Sequence, residues 1–180
     1  MKKENKQILI AVTGGISAYK ACELVRDLMK KGHTVTVMMT QEAKHFVTEL
    51  TFRTLTHQPV ISDMFASDVK WDPCHISLAE RADVVAVVPA TANFIGKLAN
   101  GLCDEISSCV IMATKAKVLI APAMNDNMYS HPAFKQNLEK IKKFGYTIVS
   151  PIKGELACGK TGMGHLASVT DISRDIEKLL

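Results

Sequence analysis

The chain contains no apolar run approaching the roughly 18 residues that a membrane-crossing helix requires. Its lysine-bearing start (Lys2, Lys3, Lys6) is not followed by an apolar core and a small-residue cleavage site, so the expected location is the cytoplasm, with no membrane partner. No Cys-x-x-Cys pair occurs among Cys22, Cys74, Cys103, Cys109 and Cys158, which argues against a zinc cluster or a redox pair and for reduced thiols with no bound metal. Aromatic residues are only 6% of the chain and the net charge of +4 is not gathered into a basic block, so nucleic acid is not expected as a partner. Gly-x-Gly-x-x-Gly is also missing, which removes the dinucleotide fingerprint. Small phosphorylated molecules remain as partners.

What is present is a regular alternation. With 47% hydrophobic and 22% charged residues, the 180 residues fit a single domain over 1–180. Short apolar runs at 7–12, 34–39, 83–88, 118–121 and 146–149 are separated by helical patterns at 18–31, at two short pieces before 57, and at 76–81, 94–99, 103–113 and 132–144. A tail capped by Thr170 closes the chain, and Cys103 and Cys109 are expected to be buried packing thiols. This order predicts a doubly wound α/β fold, Rossmann-like and flavodoxin-like, with a mostly parallel sheet and helices on both faces.

Ligands of such a sheet lie beyond the carboxyl ends of its strands, so the loops there carry the functional reading. The first is Thr13-Gly14-Gly15-Ile16-Ser17, whose amides and hydroxyl could receive a phosphate at the start of a helix, or could simply pack a tight turn. A second loop, Pro89-Ala90-Thr91-Ala92-Asn93, leaves the most valine-rich run. A third is the octet Pro122-Ala123-Met124-Asn125-Asp126-Asn127-Met128-Tyr129, where Asn125 either closes a turn or presents an amide to a ligand. Residues 60–74 show no clean period and deliver His75, and 151–166, rich in glycine around Cys158, reads as a mobile flap.

The octet resembles the Pro-x-Met-Asn-x-x-Met-Trp motif of the flavin-dependent cysteine decarboxylase family, with Tyr129 in place of the tryptophan. His75-Ile76-Ser77-Leu78 resembles its His-Ile-x-Leu pattern, and Leu156-Ala157-Cys158-Gly159 followed by Gly162-Met163-Gly164 its substrate-covering flap, with His165 where arginine is common. The glycine turn and the Thr91 loop are similar to the family's flavin-contacting stretches, so the likeness covers residues 8–167. It implies FMN as cofactor, held by Gly14, Gly15, Ser17, Thr40, Thr91, Ala92, Asn93 and Ala123. It also implies three catalytic residues, with His75 as base, Asn125 on the substrate carboxylate beside Met128, and Cys158 as proton donor.

The implied reaction converts 4′-phosphopantothenoyl-cysteine to 4′-phosphopantetheine in coenzyme A synthesis through a transient thioaldehyde, loss of CO2 and re-reduction of the enethiolate. A homo-oligomer, a trimer or a multiple of trimers with the flavin near a subunit interface, is implied with it. A decarboxylase of peptides ending in cysteine, a flavin prenyltransferase and a non-catalytic regulatory relative are the alternatives. Asn125 and Cys158 count against the second, and the presence of His75, Asn125 and Cys158 together against the third.

Overall fold

In the computed structural model, which describes residues 4–65 and 74–180, strand β1 (Gln7–Val12) sends Ile8, Ile10 and Val12 to one side of a sheet and Leu9 and Ala11 to the other. This period of two divides the core into two layers. On the first side Leu24, Val25 and Leu28 of α1 (Ala18–Lys30), Phe52 of α2 (Glu49–Thr56) and Ile172 and Ile176 of α8 (Val169–Glu177) pack together. On the second lie Phe94, Ile95 and Leu98 of α4 (Ala92–Asn100), Val110 of α5 (Ile106–Ala113) and Leu138 and Ile141 of α7 (Pro132–Lys143), with α3 (Cys74–Arg81) against α5. Both faces are covered, which is why Val84 to Val88 reads as an unbroken apolar run.

The remaining strands are β2 (Thr34–Met39), β3 (Val84–Ala90), β4 (Lys117–Pro122) and β5 (Thr147–Ile148). All neighbours pair in parallel, in the order β2-β1-β3-β4-β5. The order reverses between β1 and β3, and a crevice opens at that switch point, beyond the strand ends.

Several boundaries differ from the sequence expectation. β3 runs through Pro89 to Ala90, with its register against β4 shifted between Val87 and Ala90. The last helix begins one residue before Thr170, capped by Ser168, whose Oγ accepts from the Asp171 amide at 3.0 Å. Because α5 starts only at Ile106, Cys103 is exposed and not packed in the core. The segment read as a mobile loop contains an antiparallel hairpin of β6 (Ile152–Glu155) and β7 (Thr161–His165). Of the long loop at 60–74, residues 66–73, with Trp71 and Pro73, lie outside the described residues. Among the described residues no helix is long and apolar enough to cross a membrane.

A polar tie fastens α8 to α1. The buried Ser173 hydroxyl donates to Asp27 Oδ2 at 2.5 Å and accepts from Lys31 Nζ at 2.6 Å, and Lys31 pairs with Asp27 at 2.9 Å. The Lys31 ammonium and then the Ser173 hydroxyl hold the Asp27 carboxyl below its ordinary range. A carboxylate with a depressed pKa contributes stability above its unfolded value and loses it as pH falls through the folded one. The wild type is therefore expected to lose a small increment of thermal stability below about pH 4 that Asp27→Asn does not show, since Asp27 is partly exposed. Paired melting curves at acidic and neutral pH measure it, and equal acid sensitivity of the two proteins would remove Asp27 as its source.

Candidate active site

At the switch point one hydroxyl joins two loops. Thr13 Oγ1 donates to the Pro89 carbonyl oxygen at 2.7 Å and accepts from the Thr91 amide at 3.0 Å, so the turns after β1 and β3 are held together. Next to it Gly15, Ile16 and Ser17 lead into α1, and their N–H groups take no backbone acceptor among the described residues. Ser17 is the N-cap, yet its side chain makes no capping bond. Three free amides and an uncommitted hydroxyl at a helix start form a cradle suited to a phosphate dianion.

Gly14 serves a different purpose in the same turn. A Cβ there would lie 2.3 Å from Glu42 Cβ and 2.9 Å from the Glu42 backbone carbon, so the glycine lets the turn sit against the short 3-10 helix Glu42–His45. Gly14→Ala is expected to cost about 2 kcal/mol and to lower Tm by roughly 4–8 °C. A melting curve of the flavin-free protein tests this, and an unchanged Tm would contradict the close-packing reading.

A cavity of about 730 Å³ opens beyond the cradle, within the usual range for small-molecule sites. Gly14, Gly15 and Ser17 line it from the first loop, Thr91 and Ala92 from the second, and Ala123, Asn125 and Met128 from the third. Thr40 and Asn93 instead line an adjoining cavity of about 210 Å³ that shares Gly14, Thr91, Ala92 and Met128 with the first. Thr40 is buried there and its Oγ1 accepts from the Ala43 amide at 3.2 Å. Glu105 lines the same recess; burial pushes its carboxyl up, opposed by the Lys97 ammonium at 2.8 Å.

The third loop continues into a short helix, α6 (Asp126–Ser130), which the sequence reading did not anticipate. Asn125 caps it, Oδ1 accepting from the Asn127 amide at 2.9 Å. With the oxygen so engaged, the side-chain NH2 donates to Cys158 Sγ at 3.6 Å. Two residues selected separately from sequence thus meet at the cavity wall. Tyr129 does not line the cavity: its ring packs at a tilt against Phe134, with ring centres 5.5 Å apart, and Lys135 Nζ lies 4.1 Å from its centre, so it anchors α6 on α7.

The hairpin carries Cys158 to this position through glycines. A Cβ on Gly164, whose φ is +132°, would lie 2.1 Å from the Met124 carbonyl oxygen, and one on Gly162 would lie 2.8 Å from Asp126 Cβ. Only bare backbone brings β7 so near the octet, and the Met124 amide donates to the Gly164 carbonyl oxygen at 3.0 Å. Cys158 is exposed in the hairpin turn, whereas burial pushes the Cys22 and Cys109 thiols up and makes them poor nucleophiles and proton donors.

His75 is not brought into this cavity by its own chain. It sits half-buried in the first turn of α3, beside the exposed Ile76. Lys20 of α1 and His165 of β7, to which the sequence reading gave no role, also line the cavity and contact each other at 2.8 Å. Their separation by 145 positions left no local signal for that contact.

The cradle, the small walls at Ala92 and Ala123 and the volume of the cavity fit a flavin nucleotide. The comparisons agree with this geometry. A family model described as Flavoprotein matches residues 1–180. The coenzyme A biosynthesis bifunctional protein CoaBC of Bacillus subtilis is 44% identical over 97% of the chain, which spans 43% of that protein's length. A probable phosphopantothenoylcysteine decarboxylase of Streptococcus mutans is 42% identical over 97% of the chain and is itself covered over 99% of its length. Among solved structures, a cysteine-to-serine mutant of PPC decarboxylase complexed with pantothenoylaminoethenethiol superposes with a TM-score of 0.87 at 30% identity, covering 97% of this chain and 98% of the other. The FMN-dependent cysteine decarboxylase SpaF gives 0.84 at 26% identity, with 97% of each chain covered.

Proposed function

The chain belongs to the Flavoprotein family, and from that premise we propose that it is an FMN-dependent decarboxylase that converts 4′-phosphopantothenoyl-cysteine to 4′-phosphopantetheine in coenzyme A synthesis. The observation that carries this reading is the contact of Asn125 Nδ2 with Cys158 Sγ at the wall of a cavity that the phosphate cradle also lines. Bound there, FMN supplies a two-electron acceptor and donor, so the carbon bearing sulfur can be oxidised, the carboxylate lost and the product reduced without external reductant.

Gly15 and Ser17 hold the FMN phosphate, and Gly14, Thr91, Ala92 and Ala123 allow the ring system to approach the backbone. Thr40 and Asn93 stand at the adjoining recess that shares those walls. The Asn125 NH2 group binds the substrate carboxylate and fixes which carbon is presented, with Met128 as its apolar neighbour. Cys158 Sγ holds the proton that is given to the enethiolate carbon, a role suited to an exposed thiol on a segment that closes over the substrate.

His75 is the base of the oxidative half, and we assign it to the cavity of a neighbouring copy in a homotrimer or a multiple of trimers in the cytoplasm. Its place outside its own chain's cavity supports this, as does the apolar surface left exposed nearby at Ile76, Leu102 and Met112. The function is tested by purifying the protein, recording its visible spectrum and following CO2 release from 4′-phosphopantothenoyl-cysteine without NAD(P)H. A yellow protein that turns over is the expected result. A yellow protein active only on peptides ending in cysteine would move the substrate, and a colourless one unable to take up FMN would overturn the reading.

A further inference from the structure

Lys20 enters the cavity from α1, half-buried, and its ammonium lies 2.8 Å from His165 Nε2. The other ring nitrogen, Nδ1, lies 2.9 Å from the Glu155 carbonyl oxygen. A carbonyl only accepts, so Nδ1 carries the proton and Nε2 accepts from the lysine. Lys6, Lys31, Lys44, Lys97, Lys142 and Lys178 each pair with a carboxylate. Lys20 pairs with none among the described residues; its acceptor is a neutral imidazole. A cation withdrawn from solvent into a cavity without a counter-charge favours an anionic ligand.

The position of the pair indicates which anion. The amides of Gly15, Ile16 and Ser17 with the Ser17 hydroxyl suffice for one phosphate. Lys20 stands further along α1 and is fastened to β7 of the hairpin that covers the cavity, so it belongs to the ligand beneath the hairpin. Glu155, the carboxylate lining the same cavity, is exposed, forms no ion pair with Lys20 and is screened by solvent. We propose that Lys20, held in place by His165, is the subsite for the phosphate monoester of the substrate and makes the site select phosphorylated over unphosphorylated substrates. This rests on the substrate assigned above.

Two phosphate monoesters could use this ammonium, that of the substrate and that of FMN, and the test separates them. Calorimetric titration of the FMN-loaded protein with 4′-phosphopantothenate and with pantothenate, neither of which bears the reacting cysteine, reads substrate-side affinity. Quenching of flavin fluorescence reads FMN affinity. The wild type is expected to prefer the phosphorylated compound by about tenfold or more. Lys20→Gln should abolish that preference while pantothenate and FMN affinities hold, and Lys20→Arg should keep it. Loss of FMN affinity in Lys20→Gln would assign the lysine to the flavin and overturn the proposal. So would an undiminished preference, which would leave the pair as a brace for the hairpin. If the wild type bound neither compound, the substrate reading itself would fall, and this proposal with it.

Discussion

Cys158→Ser is expected to lower steady-state formation of 4′-phosphopantetheine by about 10³-fold, the scale of losing a positioned proton donor, while the protein stays folded and yellow. Serine occupies nearly the same space, and Cys158 is exposed in the hairpin turn, so neither the core nor the phosphate cradle is disturbed. What changes is acidity: a hydroxyl gives up its proton far less readily than a thiol. On the proposed mechanism the early steps rely on His75 and on the Asn125 amide, and they remain available. Rapid quench with a substrate labelled in the carboxylate should therefore release a burst of CO2 close to one per site, followed by a stall without product. Full steady turnover by this variant would remove Cys158 from the mechanism even with the family assignment intact.

The sheet was legible because its central strands are almost wholly buried and rich in β-branched residues; the run at 84–88 has no other reading in a chain that alternates so regularly. The hairpin was not, since Gly154, Gly162 and Gly164 weaken every strand signal. Their purpose appears only in three dimensions, where Gly162 faces Asp126, Gly164 faces the Met124 carbonyl, and a Cβ on Gly154 would lie 3.1 Å from the His165 ring. The same glycines that suggested a mobile segment are what allow it to dock.

Site residues divide in the same way. Gly15, Thr91 and Asn125 stand in turns at strand ends, where local pattern and topology coincide, and the structure places all of them on one cavity. Tyr129 looked like a departure within a binding motif, but its ring packs on Phe134, so tyrosine changes the seating of α6 and not the cavity wall. Lys20 falls within the family likeness of the glycine turn, but the residues alone gave it no partner, because a lysine on a surface helix reads as solvated. Only the fold brings His165 of β7, far along the chain, beside the half-buried Lys20 ammonium.

His75→Asn is expected to cost about 10³-fold in turnover by itself, the loss of a general base, and its more informative property is complementation. In a trimer whose sites lie between copies, a site needs an intact Cys158 from one chain and an intact His75 from its neighbour. Chains bearing His75→Asn and chains bearing Cys158→Ser are each expected to be nearly inactive alone. Unfolded together in equal amounts and refolded with FMN, half of the chains bring the cysteine and half of their neighbours bring the histidine. About a quarter of wild-type activity should then return, as expected for random assembly of a cyclic oligomer. The inference comes from placement: α3 packs on α5, and His75 lines no part of the cavity that holds Cys158. If one chain supplied both residues to its own site, every site in the mixture would lack one of them. Mixing would then restore nothing, and His75 would have to reach Cys158 by a rearrangement within the chain.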